Sequence, residues 1–467
     1  MIKAGFYECD ITPPLGTERP ADFYKLLIEN ICDPLKIRAA VFTDGTTQIA
    51  FVGIDNIGCG ERFRKRVEEL LPEFSLVISA SHTHSGGNLR DKIQGIDEAP
   101  EDIRAMALDN KVVYDPDYYH FCLKQFVTAV KMAAIDLKEA EFSFGKGRVE
   151  NLIFNRRIRM KDGNVQTHPG KGNPDSADYA GPVDDELGVV GIWEKGTDRL
   201  MGCMLNFSCH ACINLEGASA DFPGVAINTV RGVYGQDLGM VYINGASGDV
   251  TQVDNLSLKR DRGRDIATKL GRVVGARAIE LLATAPRGEI SCLRYMSERI
   301  PIQKRLPTQD QVEQAWQIVR EQPDSSAALL AKSKIVQHYF STKYPSLHTE
   351  KLCVAQLGAL VIGSSSGEMF AQYALDFKAA SHFPFTWYSQ LASDQLGYVP
   401  SPDCFRKTGG GYEMATSKFA PDTGTRVIDA LVGMVQQLNP EAAPAEQTVP
   451  PANSSWAYNF EKKSNIV

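Results

Sequence analysis

The chain is sparing with the residues that mark exceptional proteins. Its 467 residues include only eight histidines and four tryptophans. Positive charge is also in deficit, with Lys and Arg numbering 50 against 57 Asp and Glu and a formal net charge of −7. Without an overall positive field there is nothing to gather the phosphates of a nucleic acid, so none is expected as a partner. The one basic run, Lys259 to Arg264, is interrupted by Asp261 and reads as the solvated start of a helix. No apolar run approaches the roughly 20 residues needed to span a bilayer, so stable membrane insertion is not expected. The stretch Met1 to Glu8 has neither the apolar core nor the small-residue cleavage site of a secretory signal, and a cytoplasmic protein is expected.

The ten cysteines show no repeated pairing and read as reduced core thiols. Cys209 and Cys212 flank His210, but no second CxxC or HxxxH completes a structural zinc site. With 43% hydrophobic and 23% charged residues the composition is globular. There is no internal repeat and no break in composition before residue 439. One large mixed α/β domain over residues 1–440 is expected, with sheets flanked by helices. Residues 441–467, which open rich in Pro and Ala, are expected to form an extended tail.

Periodicity places the candidate chemistry. The runs Ile37 to Thr43 and Gln48 to Ile54, separated by Asp44-Gly45-Thr46-Thr47, predict a hairpin. Glu61 to Leu71 predicts a helix and Ser75 to Ala80 a buried strand, so His82-Thr83-His84 follows a strand end. Leu200 to Ser208 predicts a strand that delivers His210, and Gly239 to Ile243 one that delivers Gly248-Asp249-Val250-Thr251. Glu368 to Ala379 reads as a helix and Phe385 to Ala392 as a strand. Strand ends are where open sheets present functional groups. Two histidines at i and i+2 face one way in extended backbone, which suits a metal or an acid/base pair and equally an ordinary polar loop. The polar, Gly- and Pro-rich excursion Lys161 to Asp185, with His168, Lys171, Asn173, Asp175 and Asp178, is long enough to be functional.

Several segments together resemble the neutral, non-lysosomal ceramidase family. They are Asp10-Ile11-Thr12-Pro13-Pro14, Ser79 to Gly86 around the His-Thr-His tripeptide, Asn155-Arg156-Arg157, Gly181 to Asp184, Asn206 to His210, Gly248-Asp249-Val250, Gly367-Glu368, Gly397 to Pro400 and Gly411-Tyr412-Glu413. The resemblance implies a single Zn2+ held by His82, His210, Glu368 and Tyr398. It also implies that His84, Arg156 and Tyr412 bind substrate, move protons or stabilise the transition state. Two imidazoles and a carboxylate form a common catalytic zinc set, and zinc brings bound water to a pKa of about 7. Where the family carries serine after Gly-Asp-Val, this chain has Thr251, a more hindered nucleophile. Attack by metal-activated water is therefore expected rather than a covalent route through Thr251.

The expected activity is hydrolysis of an acyl bond, most readily an amide, in a small soluble substrate. The alternatives are ceramide itself, a catalytically silent metal-binding relative, and a serine hydrolase. The last rests on Gly363-Ser364-Ser365-Ser366-Gly367, which matches the GxSxG elbow at Ser365. His382 follows too soon to serve as its base, so the segment reads as the turn presenting Glu368. A TIM-barrel amidohydrolase would need more histidines at later strand ends than His210 alone. Oligomeric state is not legible.

Overall fold

Asp44 closes the first hairpin. Its Oδ1 accepts hydrogen bonds from the backbone N–H groups of Thr46 and Thr47 at 2.8 and 2.7 Å, an Asx turn that reverses the chain. Strands Lys36–Thr43 and Gln48–Ile54 consequently pair antiparallel, with Ile37 opposite Ile54 and Thr43 opposite Gln48. The computed structural model describes residues 1–20, 25–109, 114–344, 347–392 and 394–446. In it this hairpin belongs to a nine-stranded mixed sheet. Eight strands run in the order Gly239–Asn244, Leu200–Phe207, Glu186–Glu194, Lys138–Arg148, Lys3–Asp10, Lys36–Thr43, Gln48–Ile54 and Ser75–Ala80. Short Arg287–Gly288 pairs with Lys138–Arg148.

Strands Lys3–Asp10 and Lys138–Arg148 pair only at Lys3 with Glu139 and Ala4 with Lys138. The sheet folds there, and its two halves face each other. Side-chain alternation makes this possible, since one face of Lys36–Thr43 sends Phe42 inward while the other sends Ile37, Ala39 and Val41 outward. Phe42, Phe51 and Val77 from one half meet Met204, Val241 and Ile243 from the other. Helices Glu61–Leu70 and Pro116–Ala133 cover the first half with Phe63 and Phe126. Helices Asp221–Tyr234 and Arg264–Thr284 cover the second with Phe222 and Val274. The Phe6 ring lies so close to Gly202 and Gly239 that a Cβ at either would sit 2.3 Å from a ring atom.

A four-stranded sheet, Leu293–Gln303, Leu347–Leu357, Leu360–Ser364 and Phe385–Ser389 in that order, sends Leu360, Ile362 and Trp387 into the same core. Helices Ala371–Ala380 and Thr423–Val435 pack on its other side. Each sheet region contains a parallel pair: Gln48–Ile54 with Ser75–Ala80, Leu200–Phe207 with Gly239–Asn244, and Leu360–Ser364 with Phe385–Ser389. Their C-terminal ends meet on one rim. Asn244 N donates to Ser79 Oγ at 3.1 Å, the Ser389 hydroxyl donates to Ser79 Oγ at 3.1 Å, and Gln390 N donates to Asn244 O at 3.1 Å.

The mixed α/β architecture is the one the sequence predicts, with local differences. Glu368 does not open a helix. Its N–H donates to Gly397 O at 2.9 Å and places Glu368–Met369 in a short parallel strand beside Tyr398–Val399. The helix begins at Ala371, whose N–H is held by Asp249 Oδ1 at 2.8 Å. Tertiary pairing overrides local preference here. The Lys161 to Asp185 excursion contains strands Val165–Thr167 and Ser176–Tyr179 on either side of Arg157–Met160. Helix Asp221–Tyr234 was hidden by its Pro- and Gly-containing start. Of the segment expected as a tail, residues 441–446 lie along the domain. Glu441 accepts from the N–H groups of Ser291 and Cys292, and Ala443 packs on the central core. Residues 447–467 lie outside the described residues.

Gly202→Val should clash with Phe6 and lower stability by about 1–3 kcal/mol. Gly232→Ala, where a Cβ meets nothing within 4 Å inside a helix, should be neutral or slightly stabilising. Urea unfolding checks both, and an unchanged midpoint for Gly202→Val would contradict the face-to-face packing.

Candidate metal centre

The loop leaving Ser75–Ala80 turns sharply at His82, which adopts a left-handed φ of 64°. That conformation costs a non-glycine residue roughly 1–2 kcal/mol and persists only where surroundings impose it. Here Ser81 N donates to Ile54 O at 2.9 Å and Thr83 Oγ1 to Ser219 O at 2.6 Å. The two histidines of the tripeptide therefore meet through a turn and not through extended backbone. Their rings lie edge to face at 5.0 Å. His84 N donates to Ala211 O at 3.0 Å, tying this loop to the one that carries His210. The His82 and His210 rings are 4.6 Å apart, and the candidate ligand atoms of His82, His84 and His210 all lie within 4.8 Å of one another.

The ring orientations are set from behind. His82 Nδ1 is 2.8 Å from Ile57 O, and His210 Nδ1 is 2.5 Å from Ser247 O. A carbonyl only accepts, so both Nδ1 atoms carry hydrogen and the neutral rings present bare Nε2 lone pairs. Those lone pairs face Glu368 Oε2 at 3.4 Å from His82 and 3.5 Å from His210. Buried His82 Nε2, His84 Nε2 and Glu368 Oε2 have no hydrogen-bond partner. Burial, then the Arg156 charge, push the His210 pKa down to about 4, so it is neutral at pH 7. Burial, with the neighbouring imidazoles, also holds His84 well below the usual value. Burial pushes the Glu368 carboxyl up, and positive charge or a donated proton from the facing ring nitrogens outweighs this and holds the group well below the carboxylate range. An ionised carboxylate confronting imidazole lone pairs calls for positive charge between them. A proton on His82 would serve one contact, whereas a divalent cation serves all of these atoms at once.

Tyr398 stands in register with Glu368, its parallel-strand partner. Its ring stacks on His210 at 6.4 Å and 17°. Burial holds its hydroxyl well above the ordinary phenol value. Arg156 is buried with three anchors: Nε donates to Glu413 Oε1 at 2.7 Å, Nη2 to Gly248 O at 2.7 Å, and its guanidinium covers the Tyr398 ring at 5.1 Å. Its Nη1 reaches to 3.4 Å from His210 Nε2, a long contact. Tyr412 packs edge to face on Tyr398 at 5.6 Å.

Seven of the eight residues singled out in the sequence thus share one cluster. Thr251 is buried beside it, but its hydroxyl donates to Gln252 Oε1 at 3.1 Å and accepts from Val253 N at 3.3 Å. Ser365 is buried with its hydroxyl 2.5 Å from that of Tyr388, and the His382 ring is engaged with Leu438 O. Among the described residues no histidine bonds Ser365, so the elbow reading has no base. From the polar excursion the Thr167-His168 corner approaches the centre, through His168 N donating to Arg156 O and Thr167 Oγ1 to Glu413. Glu413, fully buried and joining Arg156, Arg157 and Thr167, was quoted in the sequence without a role. Ile57 and Ser247 act through backbone carbonyls, which no side-chain pattern reveals.

Comparison with solved structures defines the architecture as neutral ceramidase-like. A ceramidase complexed with C2 superposes with a TM-score of 0.68 at 15% identity, covering 98% of this chain and 78% of its own. The neutral ceramidase of Pseudomonas aeruginosa superposes with a TM-score of 0.66 at 16% identity, covering 95% and 76%. No protein-family model matches the sequence, and no curated protein matches it.

Behind the turn that presents Glu368, buried Glu350 accepts from Ser366 N at 2.8 Å through Oε1, while Oε2 has no hydrogen bond and lies 3.8 Å from His348 Nε2. Burial raises its pKa from 4.5 to about 7. Folding therefore favours its protonated form, and this contribution to stability is full below about 4.5 and lost as pH rises through about 7. Glu350→Gln should remove that part of the decline between about pH 5 and about pH 8. Denaturant midpoints at both values test this, and an identical decline in native and variant protein would refute it.

Proposed function

We propose that this chain is a zinc-dependent hydrolase that cleaves an acyl bond, most readily an amide, in a small soluble substrate. The observation that carries the proposal is the confrontation of Glu368 Oε2 with His82 Nε2 and His210 Nε2 at 3.4 and 3.5 Å, while each ring's Nδ1 is committed to a backbone carbonyl. Ligating histidines commonly donate their second nitrogen to a carbonyl in this way, which fixes the tautomer. His82, His210, Glu368 and Tyr398 would hold the metal, and the likeness in fold to two ceramidases supports hydrolysis as its use. The position of His84 within the same cluster also suits a ligand.

Bound zinc would supply Lewis acidity and water of lowered pKa. The remaining work falls to the chain. Arg156, its charge secured by Glu413, lies over Tyr398 and next to His210, where it can oppose negative charge developing on a carbonyl oxygen. The half-buried Tyr412 beside Tyr398 can donate to the same oxygen. His84, neutral and with an Nε2 that has no hydrogen-bond partner, can take a proton and return it to the leaving nitrogen. The occupied hydroxyl of Thr251 favours water over a covalent adduct. Ceramide remains the second reading, favoured by the names of the two similar structures.

Purified protein should carry about one zinc per chain. His82→Ala and His210→Ala should each weaken zinc binding by more than the 10–100-fold typical of outer-sphere changes. Elemental analysis and chelator competition measure this. Full zinc retention in both variants would sink the assignment, as would turnover of an amide that survives complete removal of metal.

A further inference from the structure

The basic run Lys259 to Arg264, read in the sequence as the start of a helix, mostly precedes one. The helix begins at Arg264, after Gly263, and no side chain caps it. Residues 258–262 instead line a cavity of about 550 Å³, together with His168, Lys171 and Asn255. The hydrolytic chemistry uses none of these side chains. The cavity nevertheless borders the centre through backbone. His168 N donates to Arg156 O at 3.0 Å, and Val253, which also lines the cavity, donates through its N–H to Thr251 Oγ1 at 3.3 Å.

Four Lys and Arg residues and one acid line this space, in a chain whose formal net charge is −7. The acid is already matched, because Asp261 pairs with Lys171, whose Nζ also donates to Asp254 O at 3.0 Å. Arg260 is partly matched, its Nη2 donating to Asp265 Oδ1 at 3.0 Å and its Nε to Arg262 O at 3.2 Å. Among the described residues, the Lys259 and Arg262 side chains have no hydrogen-bond or ion-pair partner. Two such cations on one lining favour an incoming anion. Asn255 adds a neutral donor. The residue is 1% exposed, its Oδ1 accepts from His168 Nδ1 at 3.2 Å, its backbone O accepts from Gly172 N at 2.9 Å, and its Nδ2 has no partner. A buried amide donor left unpaired is unfavourable until a ligand accepts from it. His168 is also held at a left-handed φ of 48°, a strain that clusters at ligand sites.

A carboxylate presents two oxygens in one plane. A phosphoryl group presents three around a tetrahedron and carries about −1.5 to −2 charge, which suits two cations and an amide donor on one lining. The cavity is far larger than bare phosphate, and Val253 and Leu258 give it an apolar part. We infer that it binds the phosphoryl group of a small organic phosphomonoester, with Lys259, Arg262 and Asn255 as the recognising side chains. The inference stands apart from the hydrolase reading and is tested without turnover. Phenyl phosphate, inorganic phosphate and phenol are titrated calorimetrically into zinc-loaded full-length protein. Phenyl phosphate is also titrated into three variants: Lys259→Gln with Arg262→Gln, Asn255→Asp, and His82→Ala. Phenyl phosphate should bind more tightly than inorganic phosphate, and phenol should not bind. The paired substitution should weaken phenyl phosphate about tenfold or more. Asn255→Asp keeps the acceptor for His168 but replaces the donor with a charge that repels the dianion, and should weaken it at least as much. His82→Ala should leave it unchanged. Circular dichroism confirms that the variants are folded; Lys259 and Arg262 are exposed, so their replacement does not disturb the core. Absence of binding to the native protein overturns the site. So does binding that survives the cavity substitutions but is lost in His82→Ala, which puts the phosphate on the metal. Equal affinity for phenyl phosphate and inorganic phosphate overturns it as well, because the cations then act as surface charge alone.

Discussion

The close approach of the two halves of the folded sheet is the constraint on which the site depends. Phe6 presses against backbone at Gly202 and Gly239, so the sheets cannot separate by a side chain's width at that point. Ser79 and Asn244 then bond across the gap. This puts the end of Ser75–Ala80 beside the ends of Leu200–Phe207 and Gly239–Asn244. Loops from different sheet halves, more than a hundred residues apart in sequence, can place His82 and His210 with ring centres 4.6 Å apart because the strands beneath them are already in contact. The smaller sheet brings Glu368 and Tyr398 to the same rim, paired to each other by backbone.

On this rigid rim the polar groups are arranged against their own electrostatic interest. Histidine lone pairs meet a carboxylate, His82 bears left-handed backbone strain, and Arg156 is buried at full charge against Glu413. Each costs folding free energy in the absence of a cation or substrate. Such concentrations of cost belong at sites where a ligand recovers them.

Much of this was legible in the chain, for definite reasons. The hairpin around Asp44 and the strand Ser75–Ala80 were readable because their burial is local and their periodicity strong. His82, His84 and His210 stood out because each follows a buried strand. Glu368 and Tyr398 depended on the family resemblance, since Glu368 reads locally as a helix start and its strand exists only through pairing with a segment 30 residues later. The fold in the sheet was not legible. It depends on Phe6 meeting two glycines near residues 202 and 239, and no window of sequence contains that contact. Nor were the orienting partners of the histidines, which are main-chain carbonyls of Ile57 and Ser247.

The central claim is that a metal sits between His82, His210 and Glu368. X-ray absorption at the zinc edge of the purified, zinc-loaded protein tests it most directly. The account predicts a first shell of nitrogen and oxygen at about 2.0–2.2 Å with the outer scattering of at least two imidazoles and no sulfur. A sulfur shell at about 2.3 Å, placing the metal on Cys209 or Cys212, or a spectrum without imidazole scattering, would contradict it.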